Sequence, residues 1–258
     1  MALRLAPRGW HARGGADHRF PAAPRLAGVT GSYPASRSAS QSTCVLLLGG
    51  SFDPVHNGHV ALGATFARLL GASELRVIPT VPWQKSSLVA TPEQRADMAA
   101  LAFAALPCRV VIDRQEIERG RPTYTVETLR ALRAELGPEV SLCFLMGADQ
   151  LQRLDTWHDW HDLFGLAHLC VAARPGFTLD GPDIPAAVAA EFRNRLVPAE
   201  RLCSRPAGQT CIAPDMAVDI SSTRLRELLA AGNFKHDSGS PISAPVLDYI
   251  RQHNLYKK

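Results

Sequence analysis

The feature that most constrains the fold is a regular alternation of short apolar runs with amphipathic segments. The runs CVLLLGG, ELRVIPT, CRVVIDR, VSLCFLMG and AHLCVAARPG are strand-like, with QTCIAP as a candidate sixth. Between them lie segments of helical period. GHVALGATFARLLG carries Val60, Leu62, Phe66, Leu69 and Leu70 on one broad side and ends at Gly71. TPEQRADMAALAFAAL opens with Thr91 as N-cap, Pro92 in the first turn and Gln94 placed to complete a capping box. YTVETLRALRAELG, WHDWHDLFG, IPAAVAAEFRNRL, SSTRLRELLAAG and SAPVLDYIRQHN are the remaining expected helices. Strands spaced by helices imply βαβ units with right-handed crossovers. The expected fold is therefore α/β, a doubly wound, mostly parallel sheet with helices on both faces.

The chain has 258 residues, 46% hydrophobic and 20% charged, enough for one generous domain, and no apolar stretch is long enough to span a bilayer. Its net charge of +4 is not evenly spread. Residues 1–44 hold six arginines and one acid, a local charge of +5, so residues 45–258 stand near neutrality at −1. That balance gives no footprint for nucleic acid, and none is expected as a partner; nor is a membrane. Residues 1–43 are rich in Ala, Arg, Pro, Gly and Ser and read as a disordered leader. An organellar transit segment, a misplaced start and a plain tail all fit that composition. Residues 44–258 read as a single domain. The six cysteines form no C-x-x-C pair, and several sit inside apolar runs, as expected of small buried hydrophobes in a reducing compartment.

In a doubly wound sheet the ligand site lies beyond the carboxyl ends of the strands, where strand order reverses. GGSFDPVHNGH follows the first run, PTVPWQK the second, GADQ the fourth and ARPG the fifth. Neither G-x-x-x-x-G-K-[ST] nor G-x-G-x-x-G is present in these segments, yet Gly49, Gly50 and Ser51 can bring backbone N–H groups to an anion. A helix opening at Gly58-His59 would aim its N-terminus at the same place. His56 and His59 could ligate metal, work as acid and base, finish a turn or hold phosphate. No third and fourth ligand stands at zinc-like spacing, so no protein-held metal is expected there. Phosphate suits the pair best, because imidazoles beside glycine amides donate to phosphoryl oxygens. In DISSTRLRELLAAG, Ser221 or Ser222 can cap a helix striped by Leu225, Leu228 and Leu229. Arg224 and Arg226 fall in its first turns, where the helix dipole disfavours cations unless an anion is bound there. Lys85 sits on a loop, and one of Trp157 and Trp160, in a wet sequence, suits a ligand ring.

GGSFDPVHNGH together with ISSTRLR resembles the paired signature of the nucleotidyltransferases with an (H/T)-x-G-H motif. RPTYTVETLRALR, the long block from FLMGADQ to AARPG, and APVLDYIRQHNLY resemble, in order, the segments of the bacterial nicotinate-nucleotide adenylyltransferase family. The likeness runs from about Val45 to Tyr256. It implies a Rossmann-like, cytoplasmic enzyme of NAD biosynthesis. The implied reaction joins ATP, with Mg²⁺, to nicotinate mononucleotide, giving nicotinate adenine dinucleotide and pyrophosphate. By motif position His59, His56 and Arg226 would be catalytic. ATP would meet Gly49, Gly50, Ser51, Phe52, His56, His59, Ser221, Ser222, Thr223 and Arg226. Nicotinate mononucleotide would meet Lys85, Thr125, Val126, Asp149, Trp157 and His158, with backbone amides at Thr125-Val126 and Trp157-His158 taking its carboxylate. Asp53 and Pro54 would shape the turn. Many members read Pro-Pro-His before the basic residue, whereas this chain reads Pro82-Trp83-Gln84. A preference for nicotinamide mononucleotide, or a silent nucleotide-binding module of the same fold, are the alternatives.

Overall fold

The apolar runs become six strands because each is short and rich in branched residues; the central ones are buried on both sides, while the edge strand Arg109–Ile112 is only half-buried. They are β1 (Cys44–Gly50), β2 (Glu74–Pro79), β3 (Arg109–Ile112), β4 (Ser141–Gly147), β5 (His168–Ala172) and β6 (Thr210–Ala213). The computed structural model describes residues 43–81, 88–213, 220–232, 234 and 240–257. The expected disorder of residues 1–42 and the departure at Pro82-Trp83-Gln84 lie outside the described residues, as does Lys85. All strand pairs are parallel, in the order β3-β2-β1-β4-β5-β6. The direction of winding reverses between β1 and β4, so the loops leaving these two strands part and open a crevice.

The helices are α1 (Asn57–Leu70), α2 (Pro92–Phe103), α3 (Gln115–Arg119), α4 (Thr125–Leu136), α5 (Leu163–Leu166), α6 (Ala186–Arg195), α7 (Ala199–Leu202), α8 (Ser222–Ala230) and α9 (Ala244–Gln252). On one face of the sheet, Leu46 and Leu48 of β1 pack with Phe66 of α1, Met98 and Phe103 of α2, Leu225 of α8 and Ile250 of α9. On the other face, Val45 and Leu47 join Leu129 and Leu132 of α4, Leu163 and Phe164 of α5, and Phe192 of α6. Each buried aliphatic side chain contributes about 1.5–3 kcal/mol, and two such layers hold the strands in register. No helix among the described residues is long and apolar enough to cross a membrane.

Local chemistry sets the ends. Gly71 takes φ 57° and closes α1, and the Thr91 hydroxyl and Gln94 amide form the expected reciprocal box at α2. Three details depart from the sequence reading. Leu69 is 40% exposed, on the outer flank of α1, rather than on its buried side. WHDWHDLFG is not one helix: a 3₁₀ turn over Trp160–Asp162 leads into the four-residue α5, while Trp157 is extended. α3 and α7 are extra helices that periodicity did not reveal, since five and four residues carry too little of a pattern.

Candidate active site

The loop after β1 is built around one carboxylate. Asp53 is fully buried, and its oxygens accept from Val89 N (2.9 Å), Ala90 N (3.1 Å) and the Tyr256 hydroxyl (2.6 Å). Burial, with the Asp53 carboxylate beside it, pushes the Tyr256 phenol far above its usual range, so it remains a donor. Arg95, itself buried on α2, donates to Ser51 O (2.6 Å) and Thr80 O (2.8 Å). Phe52 takes φ 50° and folds its ring back over Gly50, where a Cβ would sit 3.0 Å from the ring. A side chain at Gly50 would force that ring to give by a few tenths of an ångström. The reading of Asp53 as a turn-shaping residue holds, with Tyr256 and Arg95 as supports that no local sequence pattern announced.

His56 stands at the N-cap of α1 and His59 at its third residue, with rings stacked at 3.7 Å. His59 Nδ1 accepts from the His56 backbone N–H at 3.2 Å. A neutral His59 with Nδ1 accepting must carry its proton on Nε2, which fixes the tautomer as an Nε2–H donor. The Phe52 ring meets His59 edge-on at 5.0 Å and limits its swing. His56 is buried, and desolvation lowers its pKa to about 4, so it is neutral at pH 7. Its Nδ1 is buried with no hydrogen-bond partner. A buried polar atom left so at the mouth of a helix N-terminus costs free energy until a ligand satisfies it.

The second signature arrives from the far end of the chain. Arg226 Nη1 donates to Asp53 O at 2.7 Å, and its Nη2 donates to Thr223 Oγ1 at 3.3 Å. The Ser222 hydroxyl donates to Pro54 O at 3.1 Å. The start of α8 is thereby fastened to the β1 loop, and both motifs face one cleft. Ser221 occupies the N-cap position without a side-chain capping bond, and Ser222 bonds the β1 loop instead. Arg224 points away, exposed, at 3.8 Å from Glu227. Of the two arginines in the first turns, only Arg226 reaches the cleft.

The cleft has a volume of about 1050 Å³, at the upper end of the range of small-molecule sites. Gly49, Gly50, Ser51, Phe52, His56, His59, Ser221, Ser222, Thr223 and Arg226 line one half. Thr125, Asp149 and Trp157 line the other, across Gly147 at the end of β4. Trp157 stands edge-on to Phe144 at 6.3 Å, whereas Trp160 is buried against Phe164, so Trp157 alone of the two presents its indole to the cleft. At Val126 and His158 the expected contacts are backbone amides, and the side chains of both lie outside the cleft lining. Val126 is buried in the core, and His158 is exposed and stacked on Tyr124 at 4.4 Å. Only the backbone of these two residues is left to serve a ligand. Among the polar lining residues that the sequence reading did not single out are Thr80, Arg174 and Glu116. Glu116 accepts from Thr128 Oγ1 (2.7 Å) and Val81 N (3.3 Å), and burial pushes its carboxyl upward.

Of the three acids that line this cleft among the described residues, Asp53 and Glu116 are committed to protein donors, which leaves Asp149 as the one exposed carboxylate. A hard cation such as Mg²⁺ fits here as a passenger on substrate phosphates, which keep it mostly hydrated, rather than in a protein cage.

Fold and cleft together define a doubly wound α/β protein with an open cleft lined by two helix starts and a pair of imidazoles. The model of the family described as "Cytidylyltransferase-like" matches residues 47–228. A protein of Herminiimonas arsenicoxydans named "Probable nicotinate-nucleotide adenylyltransferase" is 52% identical over 219 residues, 84% of this chain and 99% of that one. A protein of the same name from Aeromonas salmonicida is 44% identical over 213 residues, 82% of this chain and 96% of that one. Among solved structures, Plasmodium falciparum nicotinic acid mononucleotide adenylyltransferase complexed with NaAD superposes with a TM-score of 0.63 at 20% identity. That match covers 83% of this chain and 97% of the other and bears on the fold alone. The chain belongs to the cytidylyltransferase-like family and, within it, to the nicotinate-nucleotide adenylyltransferases.

Proposed function

We propose that this chain transfers the adenylyl group of ATP to the phosphate of nicotinate mononucleotide, releasing pyrophosphate and forming nicotinate adenine dinucleotide. The observation that carries the reading is the joining of the two phosphate-facing signatures. His56 and His59 at the start of α1 and Arg226 at the start of α8 share one cleft, tied through Asp53. The substrate pair follows from the family to which the chain belongs.

The chemistry asks little covalent work of the protein. A phosphate monoester oxygen of the mononucleotide, already ionised at neutral pH, attacks the α-phosphorus, and the bond to the pyrophosphate oxygen breaks. No general base is needed, so catalysis rests on in-line positioning and on neutralising charge. ATP enters as its Mg²⁺ complex, and the ion lowers the charge of the triphosphate. In this reading the amides at Gly50-Ser51 and the unpartnered Nδ1 of His56 meet the phosphates. His59 Nε2–H donates to the α-phosphate and strengthens that bond as charge gathers there. The start of α8, with Ser222, Thr223 and Arg226, takes the leaving pyrophosphate. Trp157 offers a face for the nicotinate ring, and the first amides of α4 at Thr125-Val126, with those at Trp157-His158, take its carboxylate. Asp149 lies on the same side, and Lys85 would answer the mononucleotide phosphate. The setting is the cytoplasm and the role is NAD biosynthesis.

The test is pyrophosphate release from ATP with nicotinate mononucleotide and, separately, with nicotinamide mononucleotide. The acid should be the strongly preferred partner. Preference for the amide overturns the substrate, and no release with either overturns the activity.

A further inference from the structure

At the opposite end of the sheet from the cleft, three cysteines far apart in sequence converge. Cys44 begins β1, Cys143 lies in β4, and Cys203 follows α7. Cys44 Sγ is 3.8 Å from Cys143 Sγ and 2.8 Å from Cys203 Sγ, and all three sulfurs lie within 4.8 Å of one another. Cys44 and Gly50 are six residues apart along β1, so this cluster is about 20 Å from the phosphate loop. A second observation comes from Ser141, paired in register with Cys44 and fully buried. Its Oγ borders Cys203 and lacks a regular hydrogen-bond partner. Cys170 and Cys211 on the same face fit the plain reading of small buried hydrophobes, but three sulfurs closing on one point beside an orphaned hydroxyl do not.

We propose that Cys44, Cys143 and Cys203 form a trithiolate site for a thiophilic d¹⁰ metal ion, with Ser141 Oγ completing its coordination. Four donors at a Zn–S distance of about 2.3 Å set tetrahedral S···S edges of about 3.8 Å, the separation of Cys44 and Cys143. The Cys44–Cys203 edge must open by about 1 Å. Cys203 can supply that movement, since it stands on a partly exposed turn rather than in a strand, and it gives the ion a way in. On binding, each thiol passes its proton to solvent. Soft sulfur donors select Zn²⁺ or Cu⁺ over Mg²⁺ or Ca²⁺. The nearby His168 is not a ligand, because Nδ1 accepts from Gln209 N and Nε2 bonds Arg205 O. A Cys44–Cys203 disulfide is the competing chemistry, but it leaves Cys143 and Ser141 unexplained.

The test is a Co²⁺ titration of the reduced full chain under anaerobic conditions, followed by displacement with Zn²⁺ and, in a separate arm, with Cu⁺ against a chelator. The site should take up one equivalent and show thiolate-to-cobalt charge transfer with tetrahedral visible bands. Cys203→Ser should weaken binding by about a hundredfold or more, while Cys108→Ser should leave it unchanged. Zn²⁺ should also protect Cys44, Cys143 and Cys203 of the unmutated chain from alkylation, a readout that does not depend on how the variants fold. Displacement by one ion and not the other identifies the metal. Absence of charge transfer, undiminished binding by Cys203→Ser, or a Cys44–Cys203 disulfide in a chain that takes up no metal after reduction would each overturn the site.

Discussion

Tyr256→Phe isolates the clasp that the end of the chain places on the β1 loop. The substitution deletes one hydroxyl and keeps the ring, so no cavity forms in the pocket where Tyr256 is 4% exposed. It removes a 2.6 Å hydrogen bond to a fully buried carboxylate, and such charge-assisted bonds contribute about 1.5–3 kcal/mol. Asp53 Oδ1 keeps Ala90 N at 3.1 Å as a donor, so the loss should fall near the middle of that range, about 2 kcal/mol. For a domain of this size that is a fall in Tm of about 4–8 °C. Asp53 also holds Val89 N and lies 3.8 Å from Arg226, so a loosened carboxylate lets both signatures drift. Thermal unfolding and steady-state kinetics on the same preparation check both consequences. We expect kcat to fall about tenfold with a smaller change in KM for ATP, because misplacement costs orientation more than binding. An unchanged Tm would refute the energetic assignment. A lowered Tm with an unaltered kcat would refute the link from the chain end to the cleft.

Two further outcomes follow. His56, lowered to about 4 in the folded chain against 6.5 when unfolded, binds its proton more readily unfolded. Its contribution is therefore whole above pH 6.5 and is lost as pH falls toward 4, by up to about 3 kcal/mol. His56→Asn should flatten that part of a stability–pH curve measured by denaturant unfolding, and an unchanged slope would contradict the assignment. Gly147→Ala would put a Cβ 2.5 Å from Asp149 Oδ1 and push that side chain aside. KM for nicotinate mononucleotide should rise several-fold while KM for ATP holds, and an equal rise in both would place Asp149 wrongly.

The sheet was legible because each strand is a short apolar run with a helix between it and the next, and those signals are local. So were the two motifs that meet in the cleft, since glycines, histidines and an arginine in a first turn are unusual wherever they fold. What escaped was set by contacts between distant residues. Tyr256 reads as the tail of a helix until it is seen against Asp53, 203 positions earlier. Arg95 reads as a surface residue of α2, yet it is 1% exposed and braces the phosphate loop. Glu116 sits on a helix too short to leave a period. Cys44, Cys143 and Cys203 share no motif, and only parallel pairing of β1 with β4 makes the first two diagonal neighbours on one face. At His158 the motif position could be read from sequence, but not that its ring stacks on Tyr124.

The central claim is that His59 acts on the transition state through a tautomer fixed by the His56 backbone. The most direct test is His59→Ala, with the single-turnover rate of adenylyl transfer and the affinity for ATP measured on the same protein. Removing one such donor should lower the rate by about 10²–10³-fold while leaving the dissociation constant of ATP within a few-fold of its original value. Equal losses in rate and affinity would contradict the account and make His59 a ground-state binder.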